Sequence, residues 1–213
     1  GRVEAALRER LGALDLVTLV TDKLVASPHL DEVLESLIQE STGLVQAERG
    51  SILLFDPREG LLRIAVARGI PPEVVENVRT RPGEGLAGKV YETGEPQFLR
   101  NMGSGAAYKS GSAMILPLRM KGQTLGVLNL ANKKGGADFT DDDFVLARIV
   151  ANQASIAVHN AQLAASWVEN QKMKQALEIA REIQLRFLPQ VAPAMEGLDV
   201  AGWSVACDDI GGD

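Results

Sequence analysis

Three stretches of this chain carry residue types whose spacing could do chemistry. Gly83-x-Gly85-x-x-Gly88 has the spacing of a dinucleotide-binding glycine loop, and Gly83 with Gly88-Lys89 approaches that of a phosphate-cradling P-loop. Such loops work because backbone N–H groups at a helix start converge on phosphate oxygens. Either should follow a buried parallel strand, whereas Arg81-Pro82 precedes this one, and Val90 stands where a P-loop needs Ser or Thr for magnesium. The glycines therefore read as a tight turn and a closely packed short helix. The second stretch is acidic. Asp141, Asp142 and Asp143 follow Thr140 without the spacing of an EF-hand, so the balance falls on a helix start with Thr140 as N-cap and acids in the first turn. The third is the loop 100–110, where Arg100, Asn101, Tyr108 and Lys109 offer hydrogen-bonding groups and two cations that could meet an anion. A surface loop without a ligand is the other reading, and the sequence leaves both open. His159 lies in a helix with no second histidine nearby and reads as a packing residue, as His29 reads as a surface or capping one. Cys207 is the single cysteine, which excludes an intramolecular disulfide and a cysteine-based zinc cluster.

The elements that must position these residues follow from patterning. A chain of 213 residues suggests one full domain plus part of another. Apolar residues make up 46% of it, enough for a packed core. Its 22 basic and 28 acidic residues leave a net charge of −6, dispersed without a basic stripe, so nucleic-acid binding is not expected. No apolar run approaches a membrane span and the charged N-terminus is no secretory signal, which points to a soluble, cytoplasmic chain. Helices are expected up to Ala26 and, after Ser27-Pro28, up to about Val45. Strands are expected over 51–55, 61–67, 114–120 and 124–131, with the turn chemistry of Asp56-Pro57-Arg58-Glu59-Gly60 making the first pair a hairpin. The result is an α+β fold, a mainly antiparallel sheet of five or so strands flanked by helices. From Asp141 to about Leu188 there is neither glycine nor proline, which predicts one long helix. It carries a small-residue seam of Val150, Ala154, Ala157, Ala161, Ala164 and Val168. A second seam, Leu146, Ile149, Ile156, Leu163, Trp167, Leu177 and Leu188, is interrupted by Gln153, Asn160, Asn170 and Lys174. Two usable faces suit a helix that packs on its own domain and pairs with a twin in a parallel, coiled-coil-like homodimer.

With that order of elements, Gly85-Leu86-Ala87-Gly88-Lys89-Val90 with Thr93-Gly94-Glu95-Pro96, the pair Ile115-Leu116-Pro117-Leu118 and Leu125-Gly126-Val127-Leu128-Asn129-Leu130, and Phe139-Thr140 before the last helix resemble a GAF domain. The resemblance implies a sheet in the order 2-1-5-4-3, helices on one face and a pocket on the other, walled in part by the loop of Arg100, Asn101, Tyr108 and Lys109. Asn132-Lys133, Phe139 and Asp143 are similar to the signature of cyclic-nucleotide-binding GAF domains, although Phe144 replaces its final glutamate. In that reading Lys133 reaches Asp143 and pins the loop to the terminal helix; the helix-start reading of the same aspartates carries more weight. Cys207 lies outside the GAF region, so bilin attachment there is excluded.

A second resemblance begins near Ala180. Ala180-Arg181-Glu182-Ile183-Gln184 with Leu188-Pro189, Gly197-Leu198 and Ile210-Gly211-Gly212-Asp213 look like the opening of bacterial PPM-type serine phosphatases related to sporulation and stress-response sigma-factor regulators. That resemblance implies that Asp213 is a ligand of a Mn²⁺ or Mg²⁺ pair in a longer parent acting on a phosphoprotein, and that this fragment, holding one such carboxylate, is inert and carries no cofactor. The expected organisation is an N-terminal signalling helix over 1–13, a GAF sensor over 14–163, a linker helix over 164–179 and the start of a phosphatase domain over 180–213. The expected function is that of a regulatory sensor and dimerisation fragment of such a phosphatase. The alternative is a stand-alone module for a small molecule of cyclic-nucleotide type.

Overall fold

The computed structural model describes residues 30–102, 111–187 and 196–197. The first helix expected from the sequence, the residues Tyr108 and Lys109, and Asp213 lie outside them. Helix α1 (Leu30–Leu44) places Asp31 and Glu32 in its first turn and buries Val33, Leu34, Leu37 and Ile38 on one face. Near its end the Ser41 and Thr42 hydroxyls, both buried, donate to the Ile38 carbonyl at 3.1 and 2.8 Å. Strands β1 (Ala47–Asp56) and β2 (Leu61–Arg68) form the expected hairpin. Its turn closes through the Gly60 N–H on the Asp56 carbonyl and the Arg58 N–H on the Asp56 carboxylate, each 2.8 Å.

After the hairpin come α2 (Pro72–Asn77), a two-residue strand β3 (Arg79–Thr80), α3 (Gly85–Thr93), β4 (Gln97–Met102), β5 (Gly111–Met120) and β6 (Gln123–Lys133). A 3₁₀ turn (Lys134–Gly136) then leads to α4 (Asp141–Phe187). The fold is α+β, and the pairings described are antiparallel throughout. Its order, β3-β2-β1-β6-β5-β4, differs in detail from the expected 2-1-5-4-3. The difference is β3, which pairs on the outside of β2 through Leu62–Thr80 and Arg63–Arg79 and moves every later strand up by one number.

Alternation along the strands sends successive side chains to opposite faces. Ile52, Met114, Leu116, Leu118, Leu128 and Leu130 face one way and form a core with α1 and with Ala147, Val150, Ala151, Ala154 and Val158 of α4. The small residues let helix and sheet approach closely, as Gly50 does under α1, where a Cβ would meet Thr42 and Ile38 side chains at 2.6 and 2.9 Å. Of the small-residue seam, Val150, Ala154 and Ala157 are buried and Ala161 is half-buried. Up to Ala161 the described residues form one compact unit. Among the described residues after it, Leu163, Ala164, Trp167 and Val168 are exposed, Trp167 by 64%.

Candidate functional site

The opposite face of the sheet is not filled. Val90, Ala113, Ile115, Val127 and Ala131 make a smaller core there, with Leu86, Ala87, Tyr91 and Leu99 packed at its margin. Beside it lies a cavity of about 560 Å³, roofed by α2, β3 and the start of α3. That size suits a small organic molecule. Its walls are mostly apolar: Leu53, Ile64, Ile70, Val74, Val78 and Leu86 among them. The polar side chains on its wall are Arg49 and Ser51 of β1, Asn129 of β6, Thr80 and Glu84. Ser51 and Asn129 face each other in the ladder, and Arg49 sits opposite Ala131, one diagonal step away.

These groups differ in how they are satisfied. The Asn129 amide donates from Nδ2 to the Ser51 hydroxyl at 3.4 Å, while its Oδ1 is buried with no partner. Arg49 is half-buried, and its guanidinium makes no ion pair or hydrogen bond among the described residues. Glu84 is exposed at the N-cap of α3, where its carboxylate accepts from the Arg81 N–H at 3.0 Å. Sequence reasoning passed over Arg49, Ser51 and Asn129. Their signal was weak but present, since polar side chains at alternate positions of two otherwise apolar central strands must meet on one face.

The glycine-rich stretch is a turn. The Gly83 N–H donates to the Gly88 carbonyl at 2.9 Å and the Gly88 N–H to the Glu84 carbonyl at 3.0 Å, so neither is free for a phosphate. Gly88 is buried under the turn, and Lys89 is exposed.

Among the residues singled out in the sequence, Arg100 takes a different role from the one expected of it. It lies on the helix-covered side of edge strand β4, stacked 4.3 Å from the Phe98 ring and paired with Asp141 in the first turn of α4. Alternation decides this: Leu99 faces the cavity side, so Phe98 and Arg100 face the other. Phe98 in turn stacks on Phe144 of α4 at 5.1 Å. Asn101 belongs to β4, and Tyr108 and Lys109 lie outside the described residues.

Asn132, Lys133, Phe139 and Asp143 come together at the junction of β6 and α4. Lys133 pairs with Asp143, and the same Asp143 Oδ2 accepts from the Thr140 N–H and hydroxyl at 2.8 and 3.0 Å. The Asp143 N–H returns a bond to the Thr140 hydroxyl at 3.1 Å. That reciprocal pair is a capping box, with an aspartate in place of the usual glutamate. The two readings of the motif are therefore both present: the cap and the ion pair share one carboxylate oxygen. Phe139 is buried, its N–H donating to the Ser112 hydroxyl at 2.7 Å, and the Lys133 ammonium stands 5.9 Å from its ring. Asn132 is buried in the left-handed region (φ 59°), with both amide atoms unpartnered. His159 is half-buried, its Nε2 without a partner. No group of three or more His, Cys, Asp or Glu among the described residues could hold a metal ion.

A sheet with long helices on one face and a ligand-sized cavity under short helices on the other defines the class, an α+β cavity domain. The GAF domain family matches residues 27–159, and the chain belongs to that family. The Nif-specific regulatory protein of Azospirillum lipoferum is 27% identical over 139 residues, 59% of this chain and 22% of that protein. The dual 3′,5′-cyclic-AMP and -GMP phosphodiesterase 11 of Drosophila melanogaster is 28% identical over 172 residues, 69% of this chain and 12% of that protein. The chain thus spans less than a quarter of the length of these relatives. Among solved structures, the GAF domain of a phosphoenolpyruvate-protein phosphotransferase from Coxiella burnetii superposes with a TM-score of 0.63 at 21% identity, covering 73% of this chain and 98% of that one. The corresponding Acinetobacter domain gives 0.61 at 22% identity over 70% and 94%. At those identities the likeness is one of fold. Among the described residues no helix is long and apolar enough to cross a membrane.

Proposed function

We propose that this chain is the sensor segment of a cytoplasmic signalling protein, taking a small molecule in the cavity and passing its effect to α4. The observation that carries the reading is a connection through β6. That strand supplies Asn129 to the cavity, and four residues later supplies Lys133 to the carboxylate that caps α4. A ligand that prefers one position of β6 would bias the first turn of α4, and by no more than its differential affinity for the two positions. The similarity to a Nif-specific regulator and to a cyclic-nucleotide phosphodiesterase supports a signalling context. The test is ligand-dependent hydrogen exchange in the purified chain. A bound ligand should slow exchange at β6 and at the first turn of α4; protection confined to the cavity walls would remove the transmission step.

The finer reading concerns the output. Residues 180–189 and 210–213 support a PPM-type serine phosphatase as the parent, with Asp213 one of the carboxylates holding a Mn²⁺ or Mg²⁺ pair and a phosphoprotein as substrate. The full-length gene product should then dephosphorylate a phosphoserine protein in Mn²⁺, whereas the 213-residue chain should not. A full-length protein no more active than its metal-free control would end the phosphatase reading and leave the sensor reading standing. Binding of cyclic AMP or cyclic GMP by calorimetry, without phosphatase activity in the parent, would favour the stand-alone module instead.

The exposed Leu163 and Trp167 support a parallel homodimer through α4, Leu163 continuing the seven-residue spacing of Ile149 and Ile156 and Trp167 that of Leu146. Leu163→Cys in a Cys207→Ser background should give an oxidative cross-link between two chains. A monomer by analytical ultracentrifugation, with no cross-link, would exclude the pairing.

A further inference from the structure

We infer that the cavity is selective for an organic carboxylate with a compact apolar body, its carboxylate held by Arg49. The inference rests on the sensor reading and adds the chemical class of the ligand.

A cation facing a largely apolar cavity is the first ground. A guanidinium carries its charge at any working pH and presents a fork of donors that fits a carboxylate with two parallel bonds. Arg49 is half-buried with that fork unused. The acid on the same wall, Glu84, does not neutralise it, because Glu84 is exposed at the rim and one carboxylate oxygen is already bonded to the Arg81 N–H. An exposed charge is screened by solvent, and the less solvated one governs what the cavity attracts. The cavity therefore favours a negative group at its Arg49 end.

The second ground is the rest of the wall. Leu53, Ile64, Ile70, Val74 and Val78 line the space beside Arg49 and disfavour a polyhydroxylated or doubly charged body. A single carboxylate on a compact apolar body, as in an arylacetate or a short fatty acid, has this chemistry.

The test uses the 213-residue chain and four acid–amide pairs: indole-3-acetate, 4-hydroxyphenylacetate, phenylacetate and hexanoate, each against its neutral amide, by calorimetry and thermal shift. The expected result is that one or more of the acids binds at least about tenfold more tightly than its own amide. Arg49→Gln should erase the acid–amide difference while Arg49→Lys retains part of it, and Val74→Trp, from a helix with no buried residue, should block both partners. Equal binding of acid and amide, unchanged in Arg49→Gln but blocked in Val74→Trp, would overturn the carboxylate assignment and leave the sensor cavity intact. Displacement of a bound amide by cyclic AMP and by none of the acids would also overturn it, in favour of a phosphate. No binding of any acid or amide at millimolar concentration would overturn this inference and leave the sensor reading to other classes of small molecule.

Discussion

The two faces of the sheet are built from the same strands and from alternate residues of the same segments, yet one is a solid core and the other holds a cavity. On the solid face Met114, Leu116, Leu118, Leu128 and Leu130 meet two long helices with continuous apolar stripes. On the other face the strands present Ala113, Ile115, Val127 and Ala131, and the covering helices are short. Helix α2 has six residues, starts on Pro71-Pro72 and buries none of its side chains. It has a hollow on each side, the cavity and a second one of about 510 Å³ shared with α1 and β2. A helix that short cannot lay a full stripe on the sheet, so the space beneath it stays open. Stability and recognition are thereby assigned to opposite sides of one sheet.

The largest effect that could break this comparison is a truncation repeated on both faces. Leu128→Ala removes a fully buried side chain from the solid face and should cost about 2–5 kcal/mol in urea unfolding. Val74→Ala, at 45% exposure over the cavity, should cost under about 1 kcal/mol. Equal losses would mean that the cavity roof carries as much of the fold as the core does.

A smaller contrast lies in the two ion pairs that tie the sheet to α4. Lys133 and Asp143 have side-chain exposures of 18% and 10%, whereas Arg100 and Asp141 have 45% and 87%. Removing Lys133 strands a carboxylate that keeps its bonds to Thr140 but loses its countercharge, so Lys133→Ala should cost about 1–3 kcal/mol. Arg100→Ala breaks a solvated pair and a stack on Phe98, and should cost about 1 kcal/mol or less. The Lys133 variant should also loosen the ligand-dependent protection of α4, which the Arg100 variant should leave in place. A reversed ranking would shift the link between sheet and helix from β6 to the edge strand β4.

The solid face was the more legible of the two in the sequence. Leucine, valine and alanine repeats fix α1, α4 and the central strands because burial of one face imposes a period. The hairpin at Asp56–Gly60 and the cap at Thr140 were readable for a similar reason, since each needs particular residues at particular offsets. The short strands were harder. Arg79-Thr80 is too brief to show alternation, and the residues of β4 read as part of a polar stretch on the pocket wall rather than as a strand. Arg100 illustrates the limit: its charge was plain, but the choice of face depended on the register of an edge strand, and one residue of slip inverts it. Arg49, Ser51 and Asn129 were hidden for the opposite reason. Each sits inside a strand that reads as core, and only the pairing of β1 with β6 brings them together.

The smallest effect expected probes the margin of the cavity face through Tyr91. Its ring stacks on Phe55 with centroids 5.0 Å apart, and burial raises its pKa above the ordinary value of 10.0 by penalising the phenolate. The folded chain therefore keeps this proton at a pH where the unfolded chain has begun to lose it. Stability from that difference is fully present below about pH 10 and is lost as pH rises through the folded value. Tyr91→Phe keeps the stack and deletes the titration, so near pH 8 the variant should lie within about 0.5 kcal/mol of the parent. Above about pH 10 the parent should lose stability faster than the variant, and the difference should move steadily in favour of phenylalanine. Because Tyr108 is common to both proteins, its titration cancels in the comparison. Urea midpoints from pH 8 to pH 11 would show it; parallel curves for the two proteins would mean that Tyr91 is solvated in solution and that the cavity face is looser than its packing indicates.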